Sequence, residues 1–121
     1  MFNLQYSTSF SAAHLLKNYE GDCCRLHGHN WKVSVIVQTP ELDEIGIGID
    51  LKQLKKITNN FLERYDHRFL NEIPEFRDIN PTSENMARFF FKEMKKLFQE
   101  PVLLKKIIIS ESDKYAVSYE E

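Results

Sequence analysis

Cysteine is scarce in this chain: 121 residues carry two, and they are neighbours, Cys23 and Cys24. Adjacent cysteines rarely close on each other because the small ring strains the peptide, so both are expected as thiols in a reducing compartment. No stretch approaches the ~18–20 consecutive apolar residues of a membrane span. Neither sign of charge dominates. Sixteen Lys and Arg against eighteen Asp and Glu give −2, without the basic stripe that nucleic-acid binding needs. Neither a membrane nor nucleic acid is therefore an expected partner. The opening residues, MFNLQYSTSF, hold no positively charged region and no long apolar run, so no signal peptide is expected and the cytoplasm is the expected location. Four glycines and four prolines form no repeat or low-complexity tract, which sets aside fibrous and linker-like classes.

What is present reads as one globular domain spanning residues 1–121, with 42% hydrophobic and 28% charged residues. A chain this short buries only about two thirds of its unfolded surface. Nine Phe and five Tyr are rich for such a core, which leaves aromatic surface for subunit contacts.

Periodicity gives the elements. Phe2, Leu4 and Tyr6 alternate with polar residues in a half-buried strand running toward Ala13. Trp31, Val33, Val35 and Val37 form a second strand that ends near Pro40. Asp50 with Gln53 resembles a capping box, and Leu51, Leu54, Ile57, Phe61, Leu62 and Tyr65 follow at helical spacing. Asn80-Pro81-Thr82 opens a second helix, with Thr82 or Ser83 as cap, an apolar stripe of Met86, Phe90, Met94, Leu97 and Phe98, and Pro101 as its stop. Two tail strands carry Ile107, Ile109 and Glu111 on one face, then Tyr115, Val117 and Tyr119, with a turn at Ser112-Asp113. The expected fold is α+β: a four-stranded antiparallel sheet with both helices on one face, in the order ββααββ.

The chemistry gathers around histidine. His27 and His29 are two apart where a strand begins, so both imidazoles project to one side. Gly28 between them leaves room for close approach. If the first two strands pair as a hairpin, His14 falls beside them. Three neutral nitrogen ligands are the complement of a catalytic zinc with one open position. Two other readings stay open: a structural Cys2His2 site from Cys23, Cys24, His27 and His29, whose ligands are closely spaced for that role, and surface histidines with no ligand. His67 follows Asp66, a carboxylate able to fix its tautomer for acid–base work; a helix C-terminus also favours a histidine there. Glu111 continues an apolar strand face and, if buried, needs a partner such as a ligand presenting paired N–H donors.

In register, FSAAHLL, CCRLHGHNWKV, GIDLKQLK, YDHRFLNEIP, NPTSENMARFF and ISES resemble the 6-pyruvoyl-tetrahydropterin synthase superfamily across nearly the whole chain. Within it, the Cys-x-x-x-His-Gly-His spacing resembles the 6-carboxy-tetrahydropterin synthase group of the queuosine (7-deazaguanine) pathway rather than the animal pyruvoyl enzymes. The resemblance implies the tunnelling fold, with three subunits closing a barrel, two trimers stacking to a homohexamer, and active sites at subunit interfaces. It implies zinc on His14, His27 and His29, and catalysis by Cys23 with an Asp66–His67 pair from a neighbouring subunit. Glu111 would hold the pterin's 2-amino and ring N–H groups, in a pocket completed by Thr82 and Ser83. Cys24 departs from the glycine common in close relatives. The implied reaction takes 7,8-dihydroneopterin triphosphate to 6-carboxy-5,6,7,8-tetrahydropterin, losing triphosphate and acetaldehyde. The alternatives are the pyruvoyl-forming reaction, which stops before carbon–carbon cleavage, and a zinc-bearing pterin-binding module without turnover.

Overall fold

The computed structural model describes residues 1–18 and 25–121, so Cys23 and Cys24 lie outside the described residues. Two long strands, β1 (Phe2–His14) and β2 (His27–Thr39), pair antiparallel along their full length, from Phe2 opposite Thr39 to His14 opposite His27. Helix α1 (Leu51–Leu62) follows, then a two-residue strand β3 (Arg68–Phe69), helix α2 (Ser83–Met94), β4 (Leu103–Ser110) and β5 (Val117–Tyr119). The sheet order is β3-β1-β2-β4-β5.

The expected sheet is corrected in one respect. Among the described residues it has five strands and is mixed, because β3 lies parallel to β1, with Arg68 opposite Ala12 and Phe69 opposite Ala13. Two residues are too few to print an alternation, and β3 owes its place to the free edge of β1 rather than to its own pattern. The order is therefore ββαβαββ.

Binary patterning fixes which face is covered. The even positions of β1 and the odd positions of β2 and β4 point inward, burying Phe10, Ala12, Trp31, Val33, Val35, Val37, Ile107 and Ile109. Both helices bury their stripes against this one face: α1 supplies Leu54, Phe61 and Leu62, and α2 supplies Met86, Ala87, Phe90, Phe91 and Met94. An aromatic cluster joins the layers, with Phe90 6.1 Å from Phe10, 5.2 Å from Phe61 and 4.8 Å from Tyr65 between ring centroids.

The helix ends differ in detail from the sequence reading. Asp50 caps α1 by accepting from the Lys52 N–H at 2.8 Å, one residue earlier than a capping box requires. Thr82 caps α2 by accepting from the Asn85 N–H at 3.0 Å. Helix α2 stops at Met94 and tightens into a single 3-10 turn, well before Pro101. Leu97 consequently stands exposed rather than in the stripe, and Leu51, the first residue of α1, is exposed too.

Tyr65 Oη is buried without a hydrogen-bond partner among the described residues, and burial pushes its phenol up to about 12. In the unfolded chain it ionises near ~10. Between those values the unfolded state has lost a proton that the folded state keeps, so stability is full below pH ~10 and falls toward pH 12. Tyr65→Phe is expected to abolish that alkaline fall, and to be neutral or stabilising at pH 7 because no hydrogen bond is lost. Urea midpoints at pH 7 and pH 11 check both statements. On the same assay Phe90→Ala should cost about 3–5 kcal/mol at pH 7.

Candidate metal centre

The β1–β2 register places His14 opposite His27 and Ala12 opposite His29. All three histidines occupy inward positions of their strands, one turn of the pleat beyond the last core residues. Trp31 forms the floor. Its ring lies edge-on to His14 and His29, with centroids 4.8 and 5.2 Å away, and its N–H donates to the Ala12 carbonyl at 3.2 Å.

Backbone carbonyls set two of the tautomers. His14 Nδ1 lies 2.8 Å from the Pro81 carbonyl, and His27 Nδ1 lies 2.7 Å from the Arg25 carbonyl. A carbonyl oxygen only accepts, so each Nδ1 carries its proton and each Nε2 presents a lone pair. Those two Nε2 atoms stand 2.9 Å apart. Two facing lone pairs repel unless a cation lies between them. Burial, the largest influence, holds His14 below its ordinary value, opposed by the Pro81 bond; it also holds His29 low, against the attraction of Glu111. Imidazoles biased to the neutral form are the form that binds metal.

His29 Nε2 is buried and makes no hydrogen bond among the described residues, although Glu111 Oε2 approaches to 3.3 Å. Glu111 follows β4, and its other oxygen accepts from the Ser83 hydroxyl at 3.0 Å. One ligand atom from each of His14, His27, His29 and Glu111 lies within 4.8 Å of the others. A tetrahedral ion with bonds of about 2.0–2.1 Å has ligand–ligand edges near 3.3 Å, close to the 2.9 and 3.3 Å separations here. The donor set is placed to hold a metal ion. The Cys2His2 alternative falls partly outside the described residues, but His27 and His29 are already committed beside His14.

A cavity of about 340 Å³ opens from this cluster, walled by His29, Ser83, Ile109, Glu111, Tyr115 and Val117. That volume is within the range of small-ligand sites. Thr82 is not in its wall; its hydroxyl oxygen serves as the cap of α2. A larger hollow, about 900 Å³, lies between the 41–50 loop and residues 97–102 and has none of the four candidate ligands in its wall.

Asp66 and His67 sit just before β3, outside the ligand cluster. Asp66 Oδ1 accepts from the Ser11 N–H at 2.9 Å and stands 3.1 Å from His67 Nδ1. The Ser11 bond first, and the His67 contact second, hold the carboxyl below its usual range. His67 has φ of 58°, in the left-handed region, with its N–H bonded to the Ser11 carbonyl. For a residue other than glycine that backbone costs of order 1–3 kcal/mol. Its side chain is 80% exposed and borders a second hollow, about 550 Å³, shared with Ser11, Gly28, His29, Asn30 and Arg68.

Sequence reasoning missed the supports. Asn71 and Asn80 each clamp the chain leaving His14 with two amide bonds. Asn71 takes the Leu15 N–H and reaches its carbonyl, both at 3.0 Å, and Asn80 does the same for Lys17 at 2.9 and 2.8 Å. The Pro81 carbonyl has no side-chain signature at all. Trp31, by contrast, shares the parity of His27 and His29 and was legible as their neighbour.

Known proteins resemble this chain in both sequence and fold. Residues 3–121 match the family model described as 6-pyruvoyl tetrahydropterin synthase. A dihydroneopterin monophosphate aldolase of Pyrococcus furiosus is 34% identical over 95% of this chain and 94% of its own. A 6-carboxy-5,6,7,8-tetrahydropterin synthase of Synechocystis sp. is 35% identical, covering 71% of this chain and 69% of its own. The structure of Caenorhabditis elegans 6-pyruvoyl tetrahydropterin synthase superposes with a TM-score of 0.88 at 32% identity, covering 99% of this chain and 95% of that one.

Single substitutions His14→Ala, His27→Ala and His29→Ala should each abolish stoichiometric metal after dialysis, while far-ultraviolet circular dichroism stays that of the parent. Elemental analysis per chain is the measurement. A parent protein that itself comes through dialysis metal-free would overturn the assignment.

Proposed function

The chain belongs to the 6-pyruvoyl tetrahydropterin synthase family, and from that premise we propose that it is a zinc-dependent 6-carboxy-5,6,7,8-tetrahydropterin synthase. Its substrates on this reading are 7,8-dihydroneopterin triphosphate and one water, which supplies the second carboxyl oxygen; its products are 6-carboxytetrahydropterin, triphosphate and acetaldehyde, and its use lies in queuosine biosynthesis in the cytoplasm. The observation that carries the reading is one carboxylate shared by a four-residue ligand cluster and a small-ligand cavity. The Cys-x-x-x-His-Gly-His spacing supports the carboxy product over the pyruvoyl one.

Zinc held by His14, His27 and His29 would supply Lewis acidity to the hydroxyls of the substrate side chain. The remaining roles belong to the chain's own groups. Glu111 orients the pterin by accepting from its 2-amino and ring N–H groups, a charge-assisted pair. Ser83 donates to Oε1 and fixes the plane of that carboxylate. Cys23 moves a proton on one face of the side chain and His67 on the other. Asp66, kept ionised by the Ser11 N–H, holds His67 Nδ1 and leaves Nε2 toward the substrate. An exposed imidazole on a strained backbone is poorly explained within one chain. It suits a homohexamer, a dimer of trimers, in which a neighbouring copy lends this pair to each interfacial site. Thr82 contributes through the helix it caps, which carries Ser83.

The relatives' names divide over the product, so product identity is the test. Incubation with dihydroneopterin triphosphate should release acetaldehyde and inorganic triphosphate. A pyruvoyl product without acetaldehyde moves the assignment to the alternative synthase. A phosphorylated two-carbon aldehyde, with no free triphosphate, moves it to an aldolase. No turnover with tight pterin binding leaves a non-catalytic module. Cys23→Ala and His67→Asn, the latter tolerant of left-handed backbone, should each retain zinc and lose at least ~100-fold in kcat. If Cys24→Ala is the inactive variant instead, the acting thiol is misassigned.

A further inference from the structure

The four candidate ligands are not equally held. His14 and His27 are locked through Nδ1 to main-chain carbonyls, and His29 is fixed within a paired strand. Glu111 lies beyond the last residue of β4, where the chain turns through Ser112 and Asp113. The only hydrogen bond to its carboxylate among the described residues is from the Ser83 hydroxyl. The same carboxylate is asked to face in two directions. Oε2 lies 3.3 Å from His29 Nε2 inside the ligand cluster, and the carboxylate also walls the cavity that opens beside β5. A carboxylate engaging paired N–H donors uses both oxygens in one plane. It cannot do so while one of them is given to an ion.

We propose that Glu111 is an exchangeable fourth ligand: its Oε2 completes the metal coordination when the cavity is empty, and the carboxylate leaves for the N–H donors of a pterin ring when one enters. This rests on the metal-dependent pterin reading above and adds a gate to it. Three neutral imidazoles leave a dication its full charge and one vacant place, the arrangement of a catalytic site; a fourth, anionic ligand closes the site and halves the net charge. Exchange of Glu111 would thus unmask the acidic position only in the presence of the ring that brings the reacting side chain. Because one group is shared, pterin and metal must weaken each other's binding, and linkage requires the two effects to be equal.

The test uses cobalt(II), whose visible absorption reports coordination, and 6-methylpterin, which fills the ring site but has no side-chain hydroxyl to offer the ion. Wild-type cobalt protein should change its spectrum on titration with 6-methylpterin. Glu111→Gln should start from an altered spectrum, bind the ion at least roughly tenfold more weakly, and fail to respond to the pterin. In competition with a chromophoric chelator, 6-methylpterin should weaken ion binding to wild type and by the same factor be weakened by the ion. A wild-type spectrum that ignores 6-methylpterin overturns the exchange, as does a Glu111→Gln spectrum and affinity equal to wild type. The wild-type titration decides the matter even if the variant fails to fold. Absence of one bound ion per wild-type chain would instead sink the metal reading itself, so the two failures are distinguishable.

Discussion

The antiparallel register of β1 and β2 organises both the core and the site. Phe10 faces Trp31, Ala12 faces His29 and His14 faces His27, so one alternation buries apolar groups along most of the hairpin and delivers imidazoles at its end. Because the side-chain period of a strand is two, a slip of one residue would turn Trp31, Val33 and Val35 to the outside together with two of the histidines. The hydrophobic penalty for that slip is far larger than anything the imidazoles alone impose. Packing of the helices therefore sets the metal geometry, and the ligands need contribute little to choosing the fold.

A second organising segment is the run from Asn80 to Ser83, where four consecutive residues support different parts of the site. Asn80 clamps Lys17, the Pro81 carbonyl fixes the His14 tautomer, Thr82 caps α2 and Ser83 holds Glu111. Rigidity here comes from the helix that begins at Ser83 and packs against β4 and β5. Loop residues are thereby held with the precision of a helix end, which is what oriented ligands require.

Much of this was readable before any coordinates. The parity of His27, His29 and Trp31 declares a shared face, and the hairpin that brings His14 to them follows from two adjacent alternating strands. The Ile107–Ile109–Glu111 stripe likewise points a carboxylate off the end of a buried face. What escaped was of four kinds. Strand β3 is too short to have a period, and exists because β1 offers an unpaired edge. The Pro81 and Arg25 carbonyls act through main-chain atoms, which no side-chain pattern advertises. Leu97 is apolar and continues the sequence stripe of α2, yet the helix tightens at Lys95 and turns that side chain outward. Asp66 and His67 could be seen as a pair but not placed, since their partners are set by tertiary contact with Ser11.

Gly28, between the two strand histidines, lies on the outward face, and a methyl group built there would meet no described atom within 4 Å. Nothing among the described residues of its own chain requires that position to be bare. The open volume borders the hollow shared by His29 and His67, so any side chain at this carbon would take space from the approach to both imidazoles.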